Sequence, residues 1–293
     1  MKKILITGAD GFLGSNLRAK CIANGIDVIG FHGDILNSSD IEENLNVIDN
    51  LDFVFHFAGI SSVGDCLINK DHTVKVNVDA VRTLARKVNA KFSRAVFVFP
   101  STGQVYADSD FDLTEKSEIK PISFYAETKR MAEIELENVS RELNSKIIIL
   151  RLFNHSHISQ GVNFFMPAVV DKINKTPERI VVGNLNLERD IGSVHDLMDA
   201  FVEIINTEYC SLGHYEIFNL SSNKVKKLNA IVEEICLYLK KSPQIAVDLG
   251  LFRAGEPYKI IGSNLKFCKK FNWNPTRSKD EKALVASFFE KLH

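Results

Sequence analysis

No run of apolar residues in this chain is long enough to cross a bilayer. The longer runs, such as Phe53 to Ile60 interrupted by His56, fall far below the roughly 20 residues a membrane helix needs. Charge of one sign is not in excess either. Thirty-six Lys and Arg face 37 Asp and Glu, for a formal net charge of −1, and no basic block is present to track a phosphate backbone. A membrane span and a nucleic-acid partner are both excluded. Cysteine is sparse: Cys21, Cys66, Cys210, Cys236 and Cys268 are odd in number, scattered, and nowhere spaced as Cys-x-x-Cys. They read as small buried hydrophobes in a reduced, cytoplasmic setting. Lys2 and Lys3 followed by Ile-Leu-Ile imitate the start of a signal peptide, but the run stops at Thr7-Gly8 and no small-residue cleavage site follows. That stretch reads as a first strand.

What is present is ordinary globular material: 293 residues, 45% hydrophobic and 25% charged. The apolar run Lys3 to Thr7, a helical stretch Gly11 to Asn24 and a second run Ile26 to Phe31 make a β-α-β unit. Strands follow near Phe53 to Phe57, Arg94 to Phe99 and Lys146 to Leu152, alternating with helical stretches near Asp71 to Asn89 and Phe124 to Leu143. The fold class is therefore α/β, a doubly wound parallel sheet of Rossmann type with a smaller C-terminal α/β lobe. The expected division is residues 1–155 for dinucleotide binding and 156–293 for a substrate lobe interleaved with the first. In the second part, apolar segments lie at Ile180 to Val182 and Tyr215 to Asn219, with helices near Leu197 to Ile205, Lys227 to Leu239 and Glu281 to Leu292.

Thr7-Gly8-Ala9-Asp10-Gly11-Phe12-Leu13-Gly14 places three glycines at spacings of three between a strand and a helix. Gly8 permits the tight turn, Gly11 the approach of a pyrophosphate to the helix start, and Gly14 close packing of helix on sheet. Asp10, Phe12 and Leu13 of the same turn are expected against the cofactor. The second strand ends Ile29-Gly30-Phe31-His32 without the acid that holds an adenosine ribose in NAD-selective sites. NADP(H) is therefore favoured, with His32 beside the 2′-phosphate, and NAD(H) stays open. Asp34, with Ile35 next to it, is expected to hold the adenine amino group from the end of a short third strand.

Tyr125 and Lys129 stand four apart on a helical stretch, so both emerge on one face, and Ser101-Thr102-Gly103-Gln104-Val105-Tyr106 precedes them after the fourth strand. A phenol near pKa 10 is a poor proton relay at neutral pH, and a neighbouring ammonium favours its anion. Lys129 is expected to lower Tyr125, with Thr102 holding the substrate oxygen in line.

TGADGFLG, STGQVY and YAETK together resemble the extended short-chain dehydrogenase/reductases that act on nucleotide sugars, in the NAD-dependent epimerase/dehydratase family. The resemblance implies that Ala58 and Gly59 of HFAGISSV lie near the dinucleotide, that Ser61 meets substrate, and that Asn77 of VNVDAVRTL supports the site. RLFNHSHISQGVNFF, VGNLNLERDIGSVHDL and RAGEPYKIIGSN are similar to segments of GDP-mannose 4,6-dehydratases and GDP-4-keto-6-deoxymannose reductases. By that likeness Asn154, Asn163 and Gln104 contact substrate, Arg189 and Arg253 its diphosphate, and Glu256 a ribose hydroxyl. The related dehydratases carry an acid where this sequence has Gln104, which cannot serve as a carboxylate base, so carbonyl reduction is favoured over dehydration.

The resulting expectation is an NAD(P)H-dependent reductase of a nucleotide-diphospho-4-keto-6-deoxy sugar, GDP-linked by preference, working as a cytoplasmic homodimer through a four-helix bundle. The helices around 71–89 and 124–143 would pair in that bundle. A nucleotide-sugar 4-epimerase retaining NAD, and a non-catalytic dinucleotide sensor, are the alternatives. His155 and His157 form a His-x-His pair, but no metal is expected there.

Overall fold

A computed structural model of the protein describes residues 1–252 and 258–291. The first half alternates strand and helix: β1 (Lys3–Thr7), α1 (Phe12–Ala23), β2 (Asp27–Gly30), α2 (Ser38–Asn46), β3 (Phe53–His56), α3 (Val63–Ile68), α4 (Lys70–Val74), α5 (Ala80–Lys91), β4 (Val96–Thr102), α6 (Phe124–Leu143) and β5 (Lys146–Leu152). The second half adds β6 (Asn154–Ser156), α7 (Phe165–Lys175), β7 (Arg179–Val182), β8 (Glu188–Ser193), α8 (Val194–Asn206), β9 (Tyr215–Leu220), β10 (Val225–Lys227), α9 (Leu228–Leu239), β11 (Gln244–Val247), β12 (Lys259–Ile260), α10 (Leu265–Phe271) and α11 (Glu281–Phe289). No helix among the described residues is long and apolar enough to cross a membrane.

Six strands form one parallel sheet in the order β2-β1-β3-β4-β5-β9. Strands β3 and β4 are buried along their whole length, as near-continuous apolar strands covered on both faces must be. One face packs on α1, α8 and α10 through Leu17, Phe201 and Phe267; the other packs on α2, α5 and α6 through Leu45, Leu84 and Leu136. A third core, with Ile173, Ile231 and Phe288, gathers α7, α9 and α11 against β7 and β8. The fold is α/β and Rossmann-like.

Beyond residue 155 the chain returns to the first sheet: β9 adds its sixth strand, and α8 and α10 cover one of its faces. The expected third strand at Asp34 is absent. Gly33 turns the chain at φ +102°, and the Asn44 side chain takes both backbone groups of His32, accepting from its N–H at 2.9 Å and donating to its C=O at 2.7 Å. No strand follows at this point, and β2 is the edge of the sheet. The expected helix 71–89 is likewise interrupted by a π-helical turn, Lys75–Asp79.

Candidate active site

Ligands of open parallel sheets bind outside the carboxyl ends of the strands where the strand order reverses. Here that point lies between β1, whose helix leads to β2 on one side, and β3 on the other. A cleft of about 580 Å³ opens there, lined by Gly8 to Gly11, Phe31 to Leu36, Ala58 to Ile60, His72 and Val76. The expected cofactor residues Gly8, Asp10, Gly11, His32, Asp34, Ile35, Ala58 and Gly59 therefore share one lining. Phe12 and Leu13 start α1 at its rim. His32 and His72 are the basic side chains on this lining among the described residues.

The glycines are demanded by contact. A Cβ at Gly8, where φ is +65°, would sit 2.8 Å from the Ala58 nitrogen, and one at Gly14 would sit 2.1 Å from the Gly8 carbonyl oxygen. Among the described residues no side chain caps the start of α1, so first-turn amides are left facing the cleft, the usual seat of a phosphate. Asp34 is held in its loop: its N–H donates to Asp40 Oδ2 at 2.7 Å, and its Oδ1 accepts from the Leu36 N–H at 2.9 Å.

Two buried side chains brace the floor. The π turn carries Asn77 inward, where Oδ1 accepts from the Ile60 N–H at 2.8 Å and Nδ2 donates to Ile60 O at 3.0 Å and Thr128 Oγ1 at 3.1 Å. It thus ties the loop after β3 to α6. The other is His56, whose Nδ1 pairs with Thr7 Oγ1 at 2.8 Å while Thr7 Oγ1 accepts from the Ala58 N–H at 3.1 Å. Burial, with the nearby Lys129 charge, pulls His56 down to about 3, so the ring is neutral. In the sequence His56 is legible only as a break in an apolar run.

The chemical centre sits at the carboxyl end of β4. Thr102 closes the strand, and its Oγ1 accepts from the Gln104 N–H at 3.2 Å across a 3-10 turn. The Gln104 Oε1 accepts from Ser123 Oγ at 3.4 Å, and Ser123 caps α6 by accepting from the Ala126 N–H at 3.2 Å. Strand end and helix start are joined, with Tyr125 and Lys129 in the first two turns. Lys129 Nζ donates to the Pro100 carbonyl at 2.8 Å and lies 4.3 Å from the centre of the Phe99 ring.

The expectation that Lys129 lowers Tyr125 is not met in this arrangement. Burial pushes the phenol up to about 12, with the Cys66 thiol adding to the rise, while burial pulls Lys129 down to about 8 against the field of Glu133. The ammonium is engaged by Pro100, and loss of water governs the phenol.

The expected substrate residues come from both halves of the chain: Ser61 follows β3 and Gln104 follows β4, while Asn154, Asn163 and Arg189 lie beyond β5. Ser61 and Asn163 are exposed in loops, and Asn154 is exposed on β6. Arg189 is buried in β8, donating from Nη1 to the carbonyls of Glu188 and Tyr258, both at 2.9 Å. Arg253 and Glu256 lie outside the described residues. His155 is half-buried and donates from Nδ1 to Phe153 O at 2.8 Å, while His157 is buried and its Nε2 donates to Glu290 O at 2.8 Å. Among the described residues no three His, Cys, Asp or Glu side chains converge as a metal would require.

With this geometry in view, the sequence pattern of the NAD dependent epimerase/dehydratase family matches residues 4–221. The chain belongs to this family. It is 22% identical over 289 residues to the GDP-6-deoxy-D-mannose reductase of Pseudomonas aeruginosa, covering 94% of this chain and 92% of that protein. It is 26% identical to a dTDP-4-dehydro-6-deoxyglucose reductase of Escherichia coli, over 83% of each. Among solved structures, RMD from P. aeruginosa complexed with NADPH superposes with a TM-score of 0.87 at 21% identity, covering 98% of this chain and 99% of that one. A UDP-glucose 4-epimerase of Thermotoga maritima with UDP-glucose reaches 0.82 at 24%, covering 98% and 97%. The likeness in fold thus extends over nearly the whole chain.

Proposed function

We propose that this family member is an NAD(P)H-dependent reductase of the 4-keto group of a nucleotide-diphospho-4-keto-6-deoxy sugar, with a GDP carrier favoured. The observation that carries the reading is the chemical centre. Thr102 closes β4, Tyr125 lies in the first turn of α6, Lys129 donates to Pro100 two residues before Thr102, and Gln104 takes the position at which the related dehydratases carry an acid. Both reductases named above support it.

The chain fits a dinucleotide: the cradle at Gly8 and Gly14 has no room for a Cβ, and the start of α1 offers uncapped amides. Gly8, Asp10, Gly11, Phe12, Leu13 and Gly14 would hold the pyrophosphate end, and Asp34 and Ile35 the adenine. Ala58, Gly59 and Asn77 would flank the middle of the cofactor. NADP(H) is favoured because β2 ends without an acid and His32 can face a 2′-phosphate. When bound, the reduced nicotinamide supplies the hydride for the keto carbon. Tyr125 gives its proton to the oxygen as charge develops there. Burial, which pushes the phenol up to about 12, keeps it protonated at neutral pH and makes it a weaker acid than free tyrosine, so its proton passes only as the more basic alkoxide charge builds on that oxygen. The Thr102 hydroxyl would donate to the same oxygen, and the Lys129 ammonium, anchored by the Pro100 carbonyl, would hold the nicotinamide ribose. Ser61, Gln104, Asn154, Asn163 and Arg189 would hold the nucleotide sugar.

Met131 and Ile134, 42% and 43% exposed on α6, support a homodimer through a four-helix bundle. The five free thiols support a reducing, cytoplasmic setting. The test follows nicotinamide absorbance on mixing the protein with GDP-4-keto-6-deoxymannose and NADPH or NADH. Oxidation supports the reductase reading. Its absence with both, together with conversion of a UDP-hexose without cofactor consumption, would replace it with an epimerase.

A further inference from the structure

One turn beyond Lys129 on α6, the carboxylate of Glu133 is completely buried. It is fully engaged, accepting from Arg151 Nε at 3.0 Å and Nη2 at 2.8 Å, from Arg130 Nη1 at 2.9 Å, and from Ser101 Oγ at 2.5 Å. Arg151, itself buried on β5, donates its remaining Nη1 to Tyr106 Oη at 3.0 Å, and Tyr106 donates to Asn219 Oδ1 on β9 at 2.6 Å. The network therefore runs from β9 through β5 to the helix that carries Tyr125 and Lys129.

Its position in the strand is what matters. Pro100, Ser101 and Thr102 are consecutive at the end of β4. The first accepts from Lys129, the second donates to Glu133, and the third is the hydroxyl assigned to the substrate oxygen. Two hydrogen bonds one helical turn apart thus fix the register of α6 against the last residues of β4. Breaking the Ser101 tie frees Thr102 to move relative to Tyr125, where a misplacement of about 1 Å can cost about 100-fold in rate. We propose that Glu133, through Ser101 and Lys129, is a positioning residue that sets the geometry of the Thr102–Tyr125 pair and the charge beside it.

The field of the carboxylate adds a measurable signature. Glu133 raises the proton affinity of Lys129 against the effect of burial. In Glu133→Gln that support disappears while the Arg151 guanidinium stays, so both changes drive the Lys129 ammonium toward its neutral form at lower pH.

The kinetic part rests on the reductase reading, so the test has an arm independent of turnover. Protein carrying ¹³Cε-labelled lysine is titrated by NMR, with the Lys129 resonance assigned by its loss in Lys129→Arg. The wild-type resonance should titrate near 8, and in Glu133→Gln it should titrate lower by about one unit or more. Ser101→Ala leaves every charge in place; its Lys129 titration should match wild type, while kcat for NADPH oxidation falls about tenfold or more and NADPH affinity stays within about twofold. Glu133→Asp, which keeps the charge, should bring the titration back toward wild type. An unmoved Lys129 titration in folded Glu133→Gln, or a wild-type kcat in Ser101→Ala, overturns the proposal. If Glu133→Gln does not fold, Glu133→Asp and Ser101→Ala decide it by the same criteria, a displaced titration in the former then counting against it. A wild-type protein inactive on the keto sugar but with the stated NMR shifts would refute the substrate reading and leave the electrostatic wiring supported.

Discussion

Replacing Gly14 with alanine tests the cofactor cradle at its tightest point. The added Cβ would lie 2.1 Å from the Gly8 carbonyl oxygen and 2.8 Å from the Ala9 Cα, both backbone atoms, where 3.0 Å is the least that real Cβ atoms show. No side chain can swing aside, so α1 must retreat from the turn by most of an ångström. Overpacking of this kind costs about 1–3 kcal/mol, which in a protein of this size lowers Tm by a few °C. The same retreat draws the first-turn amides away from the pyrophosphate. Losing one charge-assisted hydrogen bond of about 1.5–3 kcal/mol weakens Kd by roughly 10- to 100-fold. The control is Gly25→Ala. Gly25 also has a positive φ, +68°, but an added Cβ there meets nothing within 4 Å, so the substitution carries backbone strain of about 1 kcal/mol and no packing conflict. NADPH and NADH binding by quenching of protein fluorescence, beside thermal unfolding, separates the two. Gly14→Ala should lose affinity and stability, Gly25→Ala stability alone. Wild-type affinity in folded Gly14→Ala would refute the reading of the turn.

Tyr125→Phe should lower kcat by at least about 100-fold with NADPH affinity within about twofold, measured by absorbance and fluorescence; retained turnover removes the proton-donor role. His56, held down to about 3 from an ordinary 6.5, refuses a proton that the unfolded chain accepts as pH falls through that window. It therefore takes stability away at about 1.4 kcal/mol per pH unit toward acid. His56→Gln should flatten denaturant stability between pH 6 and 4 by up to that slope, and parallel curves would contradict it. Met131→Glu with Ile134→Glu should shift the sedimentation coefficient from dimer to monomer; an unchanged dimer places the interface elsewhere.

The first half of the chain was legible because its signals are local. Helix α6 runs from Phe124 to Leu143 as read, since Ser123 caps it and its apolar face repeats at helical spacing. The glycine turn follows from spacing, and its reality as a cradle is a matter of the Gly8 to Ala58 contact across two strands. What escaped depends on partners distant in sequence. Strand β8 reads Glu-Arg-Asp-Ile-Gly-Ser and carries no strand pattern, yet it is largely buried because Asp190 accepts from the backbone of Ser222, Asn223 and Gly262. Asp34 looked like a strand end because nothing local reveals that Asn44 occupies the backbone groups of His32. Glu133 stood four residues beyond Lys129 in plain view, a spacing that places both on one helix face. Its importance appears once Arg151 and Ser101 are found against it. The placing of Tyr125 and Lys129 one turn apart on α6 was legible, while the direction of the phenol shift was not, because burial is a tertiary quantity.

The most direct test of the central claim is nicotinamide absorbance at 340 nm during reaction with enzymatically generated GDP-4-keto-6-deoxymannose, in parallel with NADPH and NADH. The account predicts stoichiometric oxidation, faster with NADPH, and its near-complete loss in Tyr125→Phe. Unconsumed cofactor with both nucleotides, from protein that binds NADPH, would contradict it.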